Sequence, residues 1–240
     1  LEALHHPTSL DDLALDRPVR ERLAYDELLA DQLALALMRA QARRLPGRIL
    51  KGDRSLRDKV IAALPFRLTG SQLQALAEIE EDMASGERML RLLQGDVGSG
   101  KTVVALLAML HAVETGAQAA LMAPTELLAR QHAATLNALV APTGLSVALL
   151  TGREKGKARE AILNGLADGT IALVVGTHAL FQDKIAFRDL ALAVIDEQHR
   201  FGVDQRVQLA SKGNGVDVLV MTATPIPRSL MMTSYGDLDG

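Results

Sequence analysis

The stretch Gly95-Asp96-Val97-Gly98-Ser99-Gly100-Lys101-Thr102 constrains this chain more than any other. It satisfies the pattern G-x-x-x-x-G-K-[ST] at every fixed position. Its glycines let the backbone curl so that successive N–H groups point at one phosphate tail. Lys101 then brings a mobile positive charge to the β- and γ-phosphates, and the Thr102 hydroxyl offers one ligand to Mg²⁺. At ordinary residue frequencies the four fixed positions match by accident in roughly one per cent of chains this long. The flanks agree with the motif. Residues 89–94 form a short, mostly apolar run suited to a buried strand, and residues 102–110 read as an almost wholly apolar helix. Strand, glycine loop and buried helix together predict a nucleotide site.

Downstream, apolar runs and helical stretches alternate. Strands are expected at 117–123, 145–150, 171–176, 191–195 and 217–221, with helices at 124–140 and 157–167. Short, near-continuous apolar strands alternating with helices imply an α/β fold, a parallel sheet with helices on both faces. Functional loops of such sheets lie at the carboxyl ends of the strands.

Upstream, residues 1–17 read as a polar linker whose paired His5 and His6 lack nearby partner ligands. Asp16-Arg17-Pro18 starts a long amphipathic helix reaching about residue 44, with Val19, Leu23, Ala30, Leu33 and Leu37 on one face. Such a helix either joins two domains or packs on the edge of one. Pro46-Gly47 ends it. A short helix to about residue 64 follows, then one over 72–84, capped by Thr69 or Ser71, with Leu73, Leu76, Ala77 and Glu80 at helical spacing. The expected division is a helical connector at 1–60 and the nucleotide lobe at 61–240.

Composition narrows the partners. Only 2% of the residues are aromatic, which leaves few platforms for stacking bases, and a net charge of −3 gives no global basic footprint. Nucleic acid would have to meet a local patch. With no cysteine, disulfides and thiolate metal sites are excluded. No apolar run approaches a membrane span and there is no signal-peptide layout, so a cytoplasmic protein without a membrane partner is expected. The chain begins at Leu1 and stops at Gly240 without a terminal pattern, as a portion of a longer protein would.

Chemistry gathers at the expected strand ends. Asp196-Glu197-Gln198-His199 places two carboxylates directly after a buried strand. The first is suited to holding Mg²⁺ through water, and the second to polarising a water for in-line attack on the γ-phosphate. Thr222 and Thr224 follow another strand, where their hydroxyls can bond His199 or the carboxylates and report nucleotide state. Thr125 opens a helix directly after a strand, and helix N-termini offer N–H groups to phosphates. Val175-Gly176-Thr177-His178 and Leu150-Thr151-Gly152 are small, polar strand ends suited to lining a backbone-binding groove.

The spacing of these elements resembles the first motor lobe of superfamily 2 helicases, a RecA-like lobe. Gly95 to Thr102 stands as motif I and Asp196 to His199 as motif II. Residues 124–130, 175–178 and 222–224 match motifs Ia, Ib and III. Three longer stretches narrow the likeness: Leu-Pro-Phe-Arg-Leu-Thr-Gly-Ser-Gln at 64–72, Val-Gly-Thr-His-Ala-Leu-Phe-Gln at 175–182 and Asp-Glu-Gln-His-Arg-Phe-Gly-Val at 196–203. These resemble the RecG family of bacterial ATP-dependent branched-DNA helicases, from about residue 60 to the end. The long helix before them is similar to that family's connector from its wedge domain. Transcription-repair coupling factors share the Arg-Phe-Gly and Thr-Pro-Ile-Pro-Arg stretches, but their motif II usually differs.

The resemblance implies a cofactor, ATP with Mg²⁺, read at adenine by the Gln72 amide with Phe66 packing nearby. The cradle would be Gly95, Asp96, Val97, Gly98, Ser99, Gly100, Lys101 and Thr102. It implies Lys101, Asp196 and Glu197 as catalytic groups, Thr102 and Asp196 at the metal, and His199, Thr222 and Thr224 as the coupling set. Thr125, Arg130, Thr177 and His178 would face double-stranded or branched DNA. The other expected partners are a second motor lobe and a wedge domain of the same full-length chain. A lobe without its second half would bind ATP weakly and hydrolyse it slowly. Two rival classes are a nucleotide-dependent docking module without hydrolysis and a switch GTPase, and the latter needs an Asn-Lys-x-Asp guanine reader that does not occur here.

Overall fold

The computed structural model describes residues 46–181, 185–196 and 215–223, all within one unit that runs from 43 to 225. The expected linker and connector helix, and the segment after Ala223, lie outside the described residues. The elements are α1 (Arg57–Ala63), α2 (Gly70–Ala84), β1 (Leu90–Gln94), α3 (Lys101–Glu114), β2 (Gln118–Met122), α4 (Glu126–Val140), β3 (Val147–Leu150), α5 (Gly156–Asp168), β4 (Leu173–Gly176), β5 (Leu190–Asp196) and β6 (Asp217–Thr222).

All six strands join one parallel sheet in the order β1-β6-β5-β2-β4-β3. Parallel strands need crossovers, and these are right-handed in almost every known case. The chain moves one way across the sheet from β1 through α3 to β2 and through α4 to β3. It then reverses through α5 to β4. That reversal puts α5 on the face opposite α3 and α4, which is the layering expected of an α/β lobe covered on both sides.

Burial explains the sequence pattern. β2 is buried at all five positions, and in α3 every residue from Val103 to Ala112 is buried, His111 included. A helix so evenly apolar is stable only inside a protein. Each fully buried leucine there is worth roughly 1.5–3 kcal/mol relative to exposure. The α2 helix has a narrower stripe: Leu76, Ile79 and Met83 are buried, whereas Leu73 is 51% exposed and Ala77 also faces out. The helix lies where the spacing places it, and the core takes only the Leu76, Ile79 and Met83 stripe. Arg91 on β1 fixes α2 from outside, donating to Glu78 and Asp82, both at 2.7 Å.

Residues 46–64 pack as part of this core. Pro46 bridges to Glu87, Leu50 N donates to Met83 O at 2.9 Å, and Leu50 and Val60 are buried. Beneath them Arg57 and Glu114 form a buried ion pair at 2.9 Å that ties α1 to the end of α3. Among the described residues no helix is long and apolar enough to cross a membrane.

At the amino end of β6, Asp217 is fully buried. Its Oδ1 accepts from Met89 N at 2.8 Å, and its Oδ2 has no hydrogen-bond partner. Burial pushes its carboxyl up from 3.8 to about 7, against the smaller lowering effects of the Met89 N–H, Arg88 and Arg48. A raised pKa makes the folded state bind the proton more tightly than the unfolded chain does. The stability that this proton gives is complete below pH 3.8 and is lost as pH rises through about 7. The whole swing is of order 4 kcal/mol. Asp217→Asn keeps an acceptor for Met89 and cannot ionise. We expect it to flatten that pH dependence and to exceed the parent in stability above pH 7, read by denaturant unfolding at several pH values. A parent whose stability does not fall across this window would contradict the assignment.

Candidate functional site

The sheet order brings the phosphate loop beside two other strand ends. In register, Gln94 pairs with Thr222 and Asp196 with Met221, so β1, β6 and β5 end side by side. Gly95 N donates to Thr222 O at 3.2 Å, which tethers the start of the loop to the buried end of β6. Asp196 sits at the last position of β5, half-emerged. Thus Gly95, Asp196 and Thr222, 127 positions apart in sequence at the extremes, share one edge of the sheet.

The loop's curl depends on two glycines in the left-handed region, Gly98 at φ 83° and Gly100 at φ 84°. Gly100 is the N-cap of α3, so no side chain caps that terminus. Its backbone N–H groups carry the positive end of the helix dipole, where an anion is favoured. Lys101 Nζ donates to Gly95 O at 2.6 Å and Asp96 O at 2.9 Å. The ammonium therefore clasps the mouth of the loop and keeps a third N–H. Val97 at the tip is 90% exposed; Asp96 and Ser99 are also exposed.

Gln72 is bound into this loop. Thr69 and Gln72 form a capping box at the start of α2, with Gln72 Oε1 accepting from Thr69 N at 2.8 Å. Its Nε2 donates to Ser99 O at 2.8 Å. That leaves the amide one N–H and one lone pair for a further partner. Phe66 lies half exposed in the segment just before. A Cβ built on Gly100 would fall 2.3 Å from Gln72 Nε2. Gly100→Ala thus meets a clash in addition to left-handed strain of about 1–2 kcal/mol. We expect it to weaken labelled-ATP binding at least tenfold in a fluorescence titration; an unchanged affinity would contradict this packing of loop and glutamine.

The hard oxygen donors fit a magnesium ion, which prefers a few protein oxygens and keeps its other ligands as water and phosphate. Thr102 lies in the first turn of α3 and Asp196 at the end of β5. Asp196 Oδ2 is engaged by His132 Nε2, from two turns into α4, at 2.6 Å. Sequence reasoning missed His132. The two residues are 64 positions apart, and only the β2–β5 register brings α4 over that strand end. Glu197, His199 and Thr224 lie outside the described residues.

The second candidate surface is a groove of about 690 Å³ at the other end of the same sheet edge. Pro124, Glu126, Gly152, Glu154, Lys155, Gly156, Arg159, Thr177, His178 and Ala179 line it. Thr177 is 8% exposed and His178 faces solvent. Thr125 caps α4, its Oγ1 accepting from Leu128 N at 3.3 Å. Arg130 is held by Glu126 at 2.9 Å and Glu154 at 3.1 Å, with 41% of its side chain exposed. Those carboxylates hold its guanidinium pKa above the ordinary value, the Glu126 hydrogen bond most of all. Lys155 and Arg159 are the basic lining residues that sequence reasoning passed over. Their signal was present: Lys155 and Arg159 follow the Thr151-Gly152 strand end by three and seven residues.

The DEAD/DEAH box helicase family model matches residues 69–233. ATP-dependent DNA helicase RecG of Escherichia coli (strain K12) is 51% identical over the whole chain, which covers 36% of that relative. RecG of Bacillus subtilis (strain 168) is 48% identical, again over the whole chain and 35% of the relative. The solved structure of RecG bound to a three-way DNA junction superposes with a TM-score of 0.81 and 48% identity, covering 91% of this chain and 29% of that one. The chain therefore spans about a third of the length of the curated relatives it matches.

Proposed function

The chain belongs to the DEAD/DEAH box helicase family, and from that premise we propose that it is the ATP-binding lobe of a motor that remodels branched DNA. ATP use follows from the family; the Mg²⁺ requirement, the residue roles and the DNA substrate are the proposal. Its main support is the adjacency of Gly95, Asp196 and Thr222 on three neighbouring strand ends, with Gln72 bonded to the loop between them. The likeness to a RecG structure titled as bound to a three-way junction supports branched DNA as the substrate class.

In this reading Lys101 releases Gly95 O and Asp96 O and turns to the β- and γ-phosphates. The N-terminus of α3 holds the phosphate tail, and the spare amide positions of Gln72 meet adenine beside Phe66. Thr102 and Asp196 would hold the magnesium, which would supply neutralisation of charge on the phosphoryl group. Glu197 activates the attacking water, and His199, Thr222 and Thr224 link nucleotide state to the DNA face. Thr125, Thr177 and His178 meet the DNA backbone along the groove, joined by Lys155 and Arg159. Arg130 contributes there through its exposed edge while Glu126 and Glu154 hold it in place. The full-length protein would add a second motor lobe and a wedge domain, and the connector would end where the lobe's packing begins; the burial of Leu50 favours a boundary earlier than residue 60.

Competition titration tests the nucleotide assignment. Labelled ATP should be displaced by ATP at concentrations at least tenfold lower than by GTP, because Gln72 is the base reader. Equal displacement by the two would remove adenine recognition from the account.

A further inference from the structure

We infer that His132 is a positioning residue for the metal-holding carboxylate Asp196. The inference rests on the nucleotide-site reading above and adds a residue to it that no motif supplies. Asp196 ends β5 with one backbone neighbour in the sheet, so its side chain needs a second constraint to present a fixed oxygen to a cation. His132 supplies it. Its Nε2 lies 2.6 Å from Asp196 Oδ2, and the two side chains are only 15% and 12% exposed. A carboxylate oxygen accepts, so in this contact the imidazole donates through Nε2 and leaves Oδ1 for the ion's water shell. A largely water-excluded hydrogen bond of this length is stronger than one in solvent.

The support beneath His132 is rigid. It is flanked on α4 by Ala129, Ala133 and Leu136, all buried against the sheet, and the helix is capped by Thr125. The register of β2 with β5, Met122 opposite Ile195, places the start of α4 beside the end of β5. A histidine on a buried helix face, aimed at the strand-end carboxylate, holds that carboxylate in one rotamer. Partners of this kind, one bond removed from a metal, commonly change its affinity 10- to 100-fold when removed.

The test uses the full-length protein and two readouts besides turnover. Imidazole nitrogen NMR without nucleotide or metal is expected to show the proton of His132 on Nε2, and to change on Asp196→Ala. Labelled-ADP titrations with and without Mg²⁺ then measure the gain in affinity that the metal gives. His132→Ala is expected to cut that gain about tenfold while leaving metal-free affinity unchanged, which also reports an intact fold. His132→Gln, whose amide nitrogen can occupy the place of Nε2, is expected to restore most of it. If His132→Ala keeps the parent's gain, or His132→Gln is no better than alanine, His132 does not position Asp196. An imidazole indifferent to Asp196→Ala overturns the pairing itself. A parent chain with no magnesium-dependent gain overturns both this inference and the nucleotide-site reading.

Discussion

Lys101→Ala, made in the full-length protein, is expected to lower DNA-stimulated ATP turnover by about 10²–10³-fold, the usual effect of deleting one group that stabilises developing charge in the transition state. Two roles are lost together. The ammonium no longer meets the β- and γ-phosphates, and the mouth of the loop loses the clasp at Gly95 O and Asp96 O. The left-handed glycines and the buried face of α3 do not depend on the lysine, so thermal stability should change little. Lys101→Arg is the sharper comparison. Its planar guanidinium cannot reproduce a compact ammonium that bonds two carbonyls of one tight loop and still reaches a phosphate. Arginine should therefore rescue poorly. Turnover within threefold of the parent in either variant would remove Lys101 from the chemistry.

Glu114→Ala is expected to cause the largest loss of stability. Glu114 stands at the carboxyl end of α3, where the helix dipole disfavours a carboxylate, and it is fully buried. Four donors hold it there. Its Oε1 accepts from Leu56 N at 3.0 Å and Arg57 N at 2.9 Å, and its Oε2 from Arg54 N at 3.0 Å and Arg57 Nε at 2.9 Å. It acts as the remote cap of α1, whose own N-cap, Leu56, has no capping side chain. Alanine leaves the buried Arg57 guanidinium with Glu80 and the Gly52 carbonyl, and strips several N–H groups of their acceptor. Breaking a buried pair in this way costs about 3–5 kcal/mol. For a lobe of this size that is a fall in Tm of roughly 6–20 °C. Glu114→Gln retains an acceptor for Leu56 and Arg57 but turns an amide donor toward the guanidinium, so it should fall between. A change below about 2 °C for alanine would show that the network is not the anchor of α1.

These two residues mark the limit of what the sequence disclosed. Lys101 was legible because phosphate binding needs glycines, a lysine and a hydroxyl at fixed short spacing, and that pattern survives without any tertiary knowledge. The strands were legible for a related reason: two-sided burial leaves apolar runs such as Gln118–Met122 between polar turns. Gln72 owed its place to a resemblance, and the structure gives the bond to Ser99 O that no spacing rule supplies. Glu114 and Arg57 are 57 positions apart, and His132 and Asp196 64, so the first pair exists only once α1 docks on α3 and the second only once α4 lies over the end of β5. Alternating strands and helices imply a parallel sheet without stating that order. Helical spacing placed Leu73 on α2 without stating which turn meets the core, and Leu73 is 51% exposed.

In the function proposed above, this lobe is the hydrolysing half of a branched-DNA motor rather than a nucleotide-gated docking surface. Strand separation of a three-way junction by the full-length protein tests it most directly, followed in real time with saturating ATP and with a non-hydrolysable ATP analogue in parallel, each with Mg²⁺. Separation is expected with ATP only, the analogue supporting binding without unwinding. Equal separation with both nucleotides, or none with ATP while the junction is bound, would contradict it.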